Sequence, residues 1–271
     1  MSGFAPRVLG RTGRLVGPLG VGASYGVSDR AVEEAFERGV RYFYWAWARR
    51  KGMATGLARL IPAHREELFI TVTSLVPTAP MIRYSVERAL RALGTDYLDA
   101  LQFYLYSDGK GIGAGQLETA LTLREEGKIR FIAGTGHQRP RFERFADAPF
   151  ADLFHVRYNA IHRGAEAEVF DPLGRRHRAD RPGLVAFTAT SWRQLIEADP
   201  KRLSPDPVPT AGDCYRFALS RPEVDVCLTG PSSDEQMRHA LDAVEKGPMN
   251  DDELVWMRRV GDRLKGEKQS G

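Results

Sequence analysis

Cysteine is nearly absent from this chain. Its two thiols, Cys214 and Cys227, in 271 residues leave no disulfide framework and no thiol-based metal site to read, which suits a reducing, cytoplasmic setting. No apolar run approaches the roughly 18 residues that a membrane span requires, so no membrane association is expected. The opening segment Met1-Ser2-Gly3-Phe4-Ala5-Pro6-Arg7 has no apolar signal core, and export is not expected. Basic blocks are missing too. The net charge of +4 comes from arginines scattered among Asp and Glu, without interleaved aromatics, and no nucleic-acid partner is expected. What is present is a globular balance, 42% hydrophobic and 27% charged. The partner to expect is a small-molecule substrate, on a monomer or homodimer.

Short β-like runs alternate with amphipathic stretches from end to end, the βα rhythm of a parallel barrel. Arg7 to Gly13 reads as a hairpin. Strands are expected at Leu19–Gly22, Tyr42–Trp45, Leu68–Thr73, Leu98–Leu105, Ile129–Ala133, Leu153–Tyr158, Gly183–Thr188 and Val224–Leu228. Ser28 caps a helix showing Val32, Ala35 and Phe36 on one side. A helix starts near Pro80 with Ile82, Val86, Leu90 and Leu93 at helical spacing. Ser232 and Glu235 form a capping-box pair, and Asn250 and Glu253 open a last helix carrying Leu254, Met257 and Leu264. The expectation is an α/β chain, a (β/α)8 TIM barrel with an N-terminal hairpin and an extra C-terminal helix, residues 1–264 forming one domain and 265–271 a disordered tail. The longest stretch without an element, Ala189 to Pro209, follows the seventh barrel strand, on the face where barrel active sites are built.

Gly39-Val40-Arg41-Tyr42-Phe43-Tyr44-Trp45-Ala46 has the frame of a known motif, G-[VI]-[NR]-[YF]-F-D-T-A-x-x-Y-G. Arg11-Thr12-Gly13, Leu93-Gly94-Thr95-Asp96-Tyr97-Leu98-Asp99, Glu126-Gly127-Lys128-Ile129-Arg130 and Tyr158-Asn159 fall in the matching order. Together they resemble the aldo-keto reductases over nearly the whole chain. The resemblance implies a barrel oxidoreductase in which a Tyr protonates a carbonyl while NADPH gives hydride, with a Lys tuning the Tyr, an Asp pairing the Lys and a His orienting substrate. By register the Asp position holds Tyr44, the Tyr position Arg49, the Lys position Thr73 and the His position Tyr104. All four differ. Losing Lys and Asp together avoids stranding one buried charge, which costs roughly 3–5 kcal/mol.

The resemblance then implies a mouth lined by Tyr44, Trp45, Tyr104 and Trp47. Either these aromatics fill an inert barrel or they make a pocket rebuilt for another ligand. On the cofactor side, Thr135 and His155 stand where the amide-binding residues belong, Phe187 where the nicotinamide stacks, and Gly230, Ser232, Ser233 and Gln236 where a helix start takes phosphate. The resemblance's 2′-phosphate cation is replaced by Ser232 and its adenine-side Asn by Ala240, which leaves NADPH short of both contacts without excluding it. Tyr44 or Tyr104 can serve as the acid, with Arg49 as the nearby cation. His137, in the turn Gly134-Thr135-Gly136-His137, reads as a proton shuttle or an exposed loop residue. His155, pointing opposite to Phe154 and Val156, faces the barrel interior, as a core residue or a catalyst. Trp192 either covers the pocket or anchors its loop. His64, His162, His177 and His239 read as surface residues. No metal site is expected. The expected activity is a nicotinamide-dependent oxidoreductase on a small carbonyl-type or aromatic substrate. The alternatives are an isomerase or lyase using the aromatic pocket, and a catalytically silent ligand- or partner-binding pseudoenzyme.

Overall fold

The computed structural model describes residues 3–45, 51–74, 78–105 and 111–265. Trp47 and Arg49, and the tail from residue 266 onward, lie outside them. Strands β1 (Arg7–Val8) and β2 (Leu15–Val16) form an antiparallel hairpin. Eight parallel strands follow: β3 (Leu19–Gly22), β4 (Tyr42–Trp45), β5 (Phe69–Thr73), β6 (Leu98–Tyr104), β7 (Ile129–Thr135), β8 (Leu153–Arg157), β9 (Gly183–Phe187) and β10 (Val226–Thr229). They pair in chain order, and β10 returns to β3, closing the barrel. The helices are α1 (Asp29–Glu37), α2 (Lys51–His64), α3 (Ala79–Leu93), α4 (Ala114–Glu125), α5 (Pro140–Arg144), α6 (Asp171–Gly174), α7 (Pro200–Leu203), α8 (Ala211–Leu219), α9 (Asp234–Glu245) and α10 (Asp251–Lys265). This is the expected TIM barrel with its hairpin and additional C-terminal helix.

The period-2 alternation of strands sorts side chains into two clusters. Tyr42, Phe69, Ala100, Ala133, Leu153, Val185 and Val226 fill the lumen, with Tyr44, Phe131 and Leu228 packed on them. Phe43, Trp45, Ile70, Val72, Phe103, Phe154, Val156 and Leu184 face the helices. Leu9 and Val16, on and beside the hairpin, belong to the lumen cluster. The Arg11 N–H bonds the Arg181 carbonyl at 2.8 Å, just before β9. The hairpin therefore plugs the barrel at its N-terminal end and leaves the C-terminal mouth as the open one.

Four elements differ from the sequence reading. Helix α2 was not expected. Its buried Met53, Leu57 and Ile61 recur every four residues, but Gly52, Gly56 and Pro62 interrupt the helical composition. Gly56 has a packing reason: a Cβ there would sit 2.8 Å from Val32 Cβ, so α2 lies against α1 more closely than any other residue allows. Helix α9 begins one residue later than the proposed Ser232–Glu235 pair. Ser233 is its cap, its side chain accepting from Gln236 N–H at 3.2 Å. Helix α6 and the helical turn Glu166–Phe170 before it were missed as well. The segment after β9 is not structureless, since α7 lies within it, capped by Asp199. Ser28 and Asn250 cap as expected, accepting from Ala31 N–H and Glu253 N–H.

Three carboxylates tie alternate strands together near their starts. Asp99 accepts from Ile70 N–H at 2.9 Å, Asp152 from Ile132 N–H at 2.8 Å and Asp225 from Leu184 N–H at 2.9 Å. Each sits at the start of an even-numbered strand and grips the strand before it. Asp99 and Asp225 are fully buried and are held by Arg65 and Arg181, both at 2.9 Å. Burial pushes both carboxyls above the usual range, against the pull of those arginines. An Asp225→Ala variant leaves Arg181 buried without its partner and Leu184 N–H without an acceptor. Urea unfolding should show a loss of about 3–5 kcal/mol.

Candidate active site

Lumen-facing residues within the strands make the floor of the open mouth, and those that end the strands make its rim. The floor is a hydrogen-bonded column. Thr71 Oγ1 donates to the Tyr42 hydroxyl at 2.8 Å, and that hydroxyl lies 2.6 Å from His155 Nε2. With Thr71 donating to the phenol oxygen, the phenol proton is directed at Nε2, which places the imidazole proton on Nδ1. All three residues are buried. Burial pushes the His155 pKa down to about 3 and the Tyr42 phenol up, so the column is neutral. The ring of Tyr44 meets the His155 ring edge-on at 5.2 Å.

His155 faces the interior, as its alternation predicts. Its Nε2 is engaged by Tyr42 and belongs to the floor, which leaves Nδ1 as the nitrogen that could meet a ligand. Thr135 sits beside it, its hydroxyl donating to the His155 carbonyl at 3.1 Å. Trp45 is a correction. It follows Tyr44 on the same strand and so points the other way, 4% exposed among the helix-facing residues, its Nε1 without a hydrogen-bond partner among the described residues. It does not line the mouth.

The rim carries Thr73, Tyr104, Thr135, Arg157 and Phe187, the last residues of five consecutive strands. Tyr104 is 41% exposed, and its ring meets that of His137 edge-on at 5.7 Å. Phe187 is half-buried and in register with Arg157. Trp192 stands out at 58% exposure, which excludes anchoring by burial. The ring of His162 meets it edge-on at 6.5 Å, and His162 Nδ1 lies 3.2 Å from Asn159 Oδ1. His162, read as an isolated surface residue, belongs to the rim. Arg157 was missed as a site residue, although its alternation with His155 already put it on the lumen side.

The turn after β10 is self-satisfied. Ser232 N–H and Oγ both bond Gln236 Oε1 at 2.9 Å. Ser233 caps α9, whose first turn carries Asp234 and Glu235. A Cβ on Gly230 would lie 2.3 Å from the Tyr25 ring, so this glycine makes room for Tyr25. At the rim, half-buried Phe187 leaves part of its ring uncovered. The turn itself holds no cation for a 2′-phosphate, and two carboxylates stand beside it. Among the described residues no group of His, Cys, Asp or Glu is arranged to hold a metal, and no helix is long and apolar enough to cross a membrane.

No family model and no curated protein matches the chain. Solved structures do. Aldo-keto reductase AKR11C1 from Bacillus halodurans superposes with a TM-score of 0.76 in its holo form, at 19% identity over 94% of this chain and 95% of that one. Its apo form gives 0.75 over the same shares. A proposed 2,5-diketo-D-gluconic acid reductase B gives 0.72 at 19% identity over 96% of this chain and 92% of that one. At such identity the likeness establishes a common barrel.

The buried His155 makes a pH signature. Its folded pKa near 3 lies below the ordinary 6.5, so the unfolded chain binds the extra proton between those values, and stability rises with pH across that window. The contribution is complete above pH 6.5 and is lost as pH falls toward 3. A His155→Gln variant should flatten the urea-derived stability profile there by up to about 1.4 kcal/mol per pH unit.

Proposed function

We propose that this chain is an oxidoreductase of the aldo-keto reductase type, acting on a small carbonyl compound with a nicotinamide dinucleotide, and that Tyr104 is its acid. The observation that carries this reading is the Tyr104–His137 ring pair, exposed at the end of β6 and in the turn after β7. The fold likeness to reductases and the half-buried Phe187 support it. Phe187 and Thr135 would hold the nicotinamide end, and Gly230, Ser232, Ser233 and Gln236 the far end once the exposed Gln236 amide swings off Ser232 N–H. A nicotinamide bound there supplies the hydride. Tyr104 gives its proton to the carbonyl oxygen, and exposure lets solvent or His137 return it. Thr73 and Tyr44 bound the space where the carbonyl sits, and the neutral column of Thr71, Tyr42 and His155 closes it below.

The self-satisfied turn favours a second reading, a barrel that binds a small ligand without redox chemistry. Nucleotide titration separates the two, with Trp192 emission as the reporter. Under the reductase reading NADH and NADPH both quench below about 1 mM, and NADPH holds no advantage because the turn lacks a cation. With a panel of aldehydes, ketones and quinones, Tyr104→Phe should lose about 10²–10⁴-fold in turnover. Silence toward both nucleotides at millimolar concentration removes the reductase reading. Full activity in both Tyr104→Phe and Tyr44→Phe removes the tyrosine acid.

A further inference from the structure

Strand β8 ends on Arg157, two residues beyond the lumen-facing His155 and therefore on the same side of the sheet. The guanidinium lies 5.8 Å from the centre of the Trp192 ring. Among the described residues it has neither a carboxylate nor a carbonyl partner. Partial burial, and then the charge of Arg139, act against its proton. Arg139 is itself answered: it binds Glu168, Nη2 to Oε1 at 2.9 Å. Among the described residues, then, Arg157 is a rim cation that no carboxylate answers.

The segment opposite is held in an unusual shape. Thr188, Ser191, Trp192 and Arg193 have φ values of +57°, +52°, +52° and +73°, a region that side chains with a Cβ avoid. Asn159 Nδ2 holds the Thr188 carbonyl at 2.9 Å, and Ser191 N–H bonds the same carbonyl at 2.9 Å. The buried hydroxyls of Thr188 and Ser191 have no hydrogen-bond partner among the described residues. Leu195 is fully buried and Trp192 is left standing in solvent. A large apolar ring kept exposed by strained backbone beside an unanswered guanidinium is an arrangement completed by a ligand.

We infer that Arg157 and Trp192 form a recognition site for a carboxylate carried by a planar substrate. The guanidinium binds the anion and the indole covers the flat body next to it. One unanswered cation matches a monoanion, which favours a carboxylate over a phosphate. Combined with the reductase reading, on which this clause alone rests, the substrates are oxo acids or carboxylated aromatic aldehydes rather than neutral carbonyls.

The test is a binding measurement made without nucleotide, so that its outcome is separate from the redox question. Calorimetry compares 4-carboxybenzaldehyde with its uncharged methyl ester on the full chain. The acid should bind about tenfold or more tightly than the ester, as one charge-assisted contact gives. Arg157→Gln should abolish that preference while leaving ester affinity within about twofold, and Arg157→Lys should restore part of it. Trp192→Phe should weaken acid and ester together. Equal affinity for acid and ester in the native chain, or a preference that survives Arg157→Gln, overturns the inference. Inorganic phosphate binding more tightly than the acid overturns the carboxylate assignment. If the acid preference holds while neither nucleotide binds, the anion site stands and the reductase reading alone falls.

Discussion

A closed barrel gives each strand position only two destinations, and that constraint decides everything at the mouth. Tyr42 goes inward because Phe43 and Trp45 pack toward the helices, and once buried its hydroxyl must find a partner within the fold. Thr71 and His155, on strands to either side of the lumen, answer it. Their answer in turn sets the height of the floor, the resting place of the Tyr44 ring and the level at which any ligand stops. The polar column takes the place of further aliphatic packing, so the lumen is polar and uncharged at mid-height.

Charge is distributed unequally between the two ends. At the closed end, buried Asp99 and Asp225 meet arginines and backbone N–H groups together, so each carboxylate has several partners. At the open end Arg157 has no such company among the described residues. Groups that hold a fold are satisfied within the fold, whereas groups that meet a visitor are left with capacity to spare. That contrast supports the proposed site at the end bearing Arg157 and Trp192, the end at which parallel barrels generally carry their sites.

Most of the barrel was legible because its strands are short runs of β-branched and aromatic residues bounded by turn residues. The lapses have physical causes. Helix α2 hid because Gly56 serves a close approach to α1 that no periodicity rule records. Trp45 was assigned to the mouth by its place in a motif, although the residue beside Tyr44 on one strand cannot share its side. Arg157 is the converse case: it precedes the Tyr158-Asn159 motif without belonging to its chemistry, and only the alternation from His155 places it on the lumen side. Ser232 was taken for a cap one position early because Ser233 beside it has the same chemistry, and only the geometry of Gln236 distinguishes them. The roles proposed for Tyr104 and His137 rest on their meeting in space, from the end of β6 to the turn after β7, which no linear spacing encodes.

The hairpin that stoppers the lumen has a kinetic corollary. A vessel with a single opening obliges arrivals and departures to use one passage, so a spent molecule must vacate before its successor settles. If the reductase reading holds, clearance of that passage, rather than bond-making inside, sets the pace at which the barrel turns over.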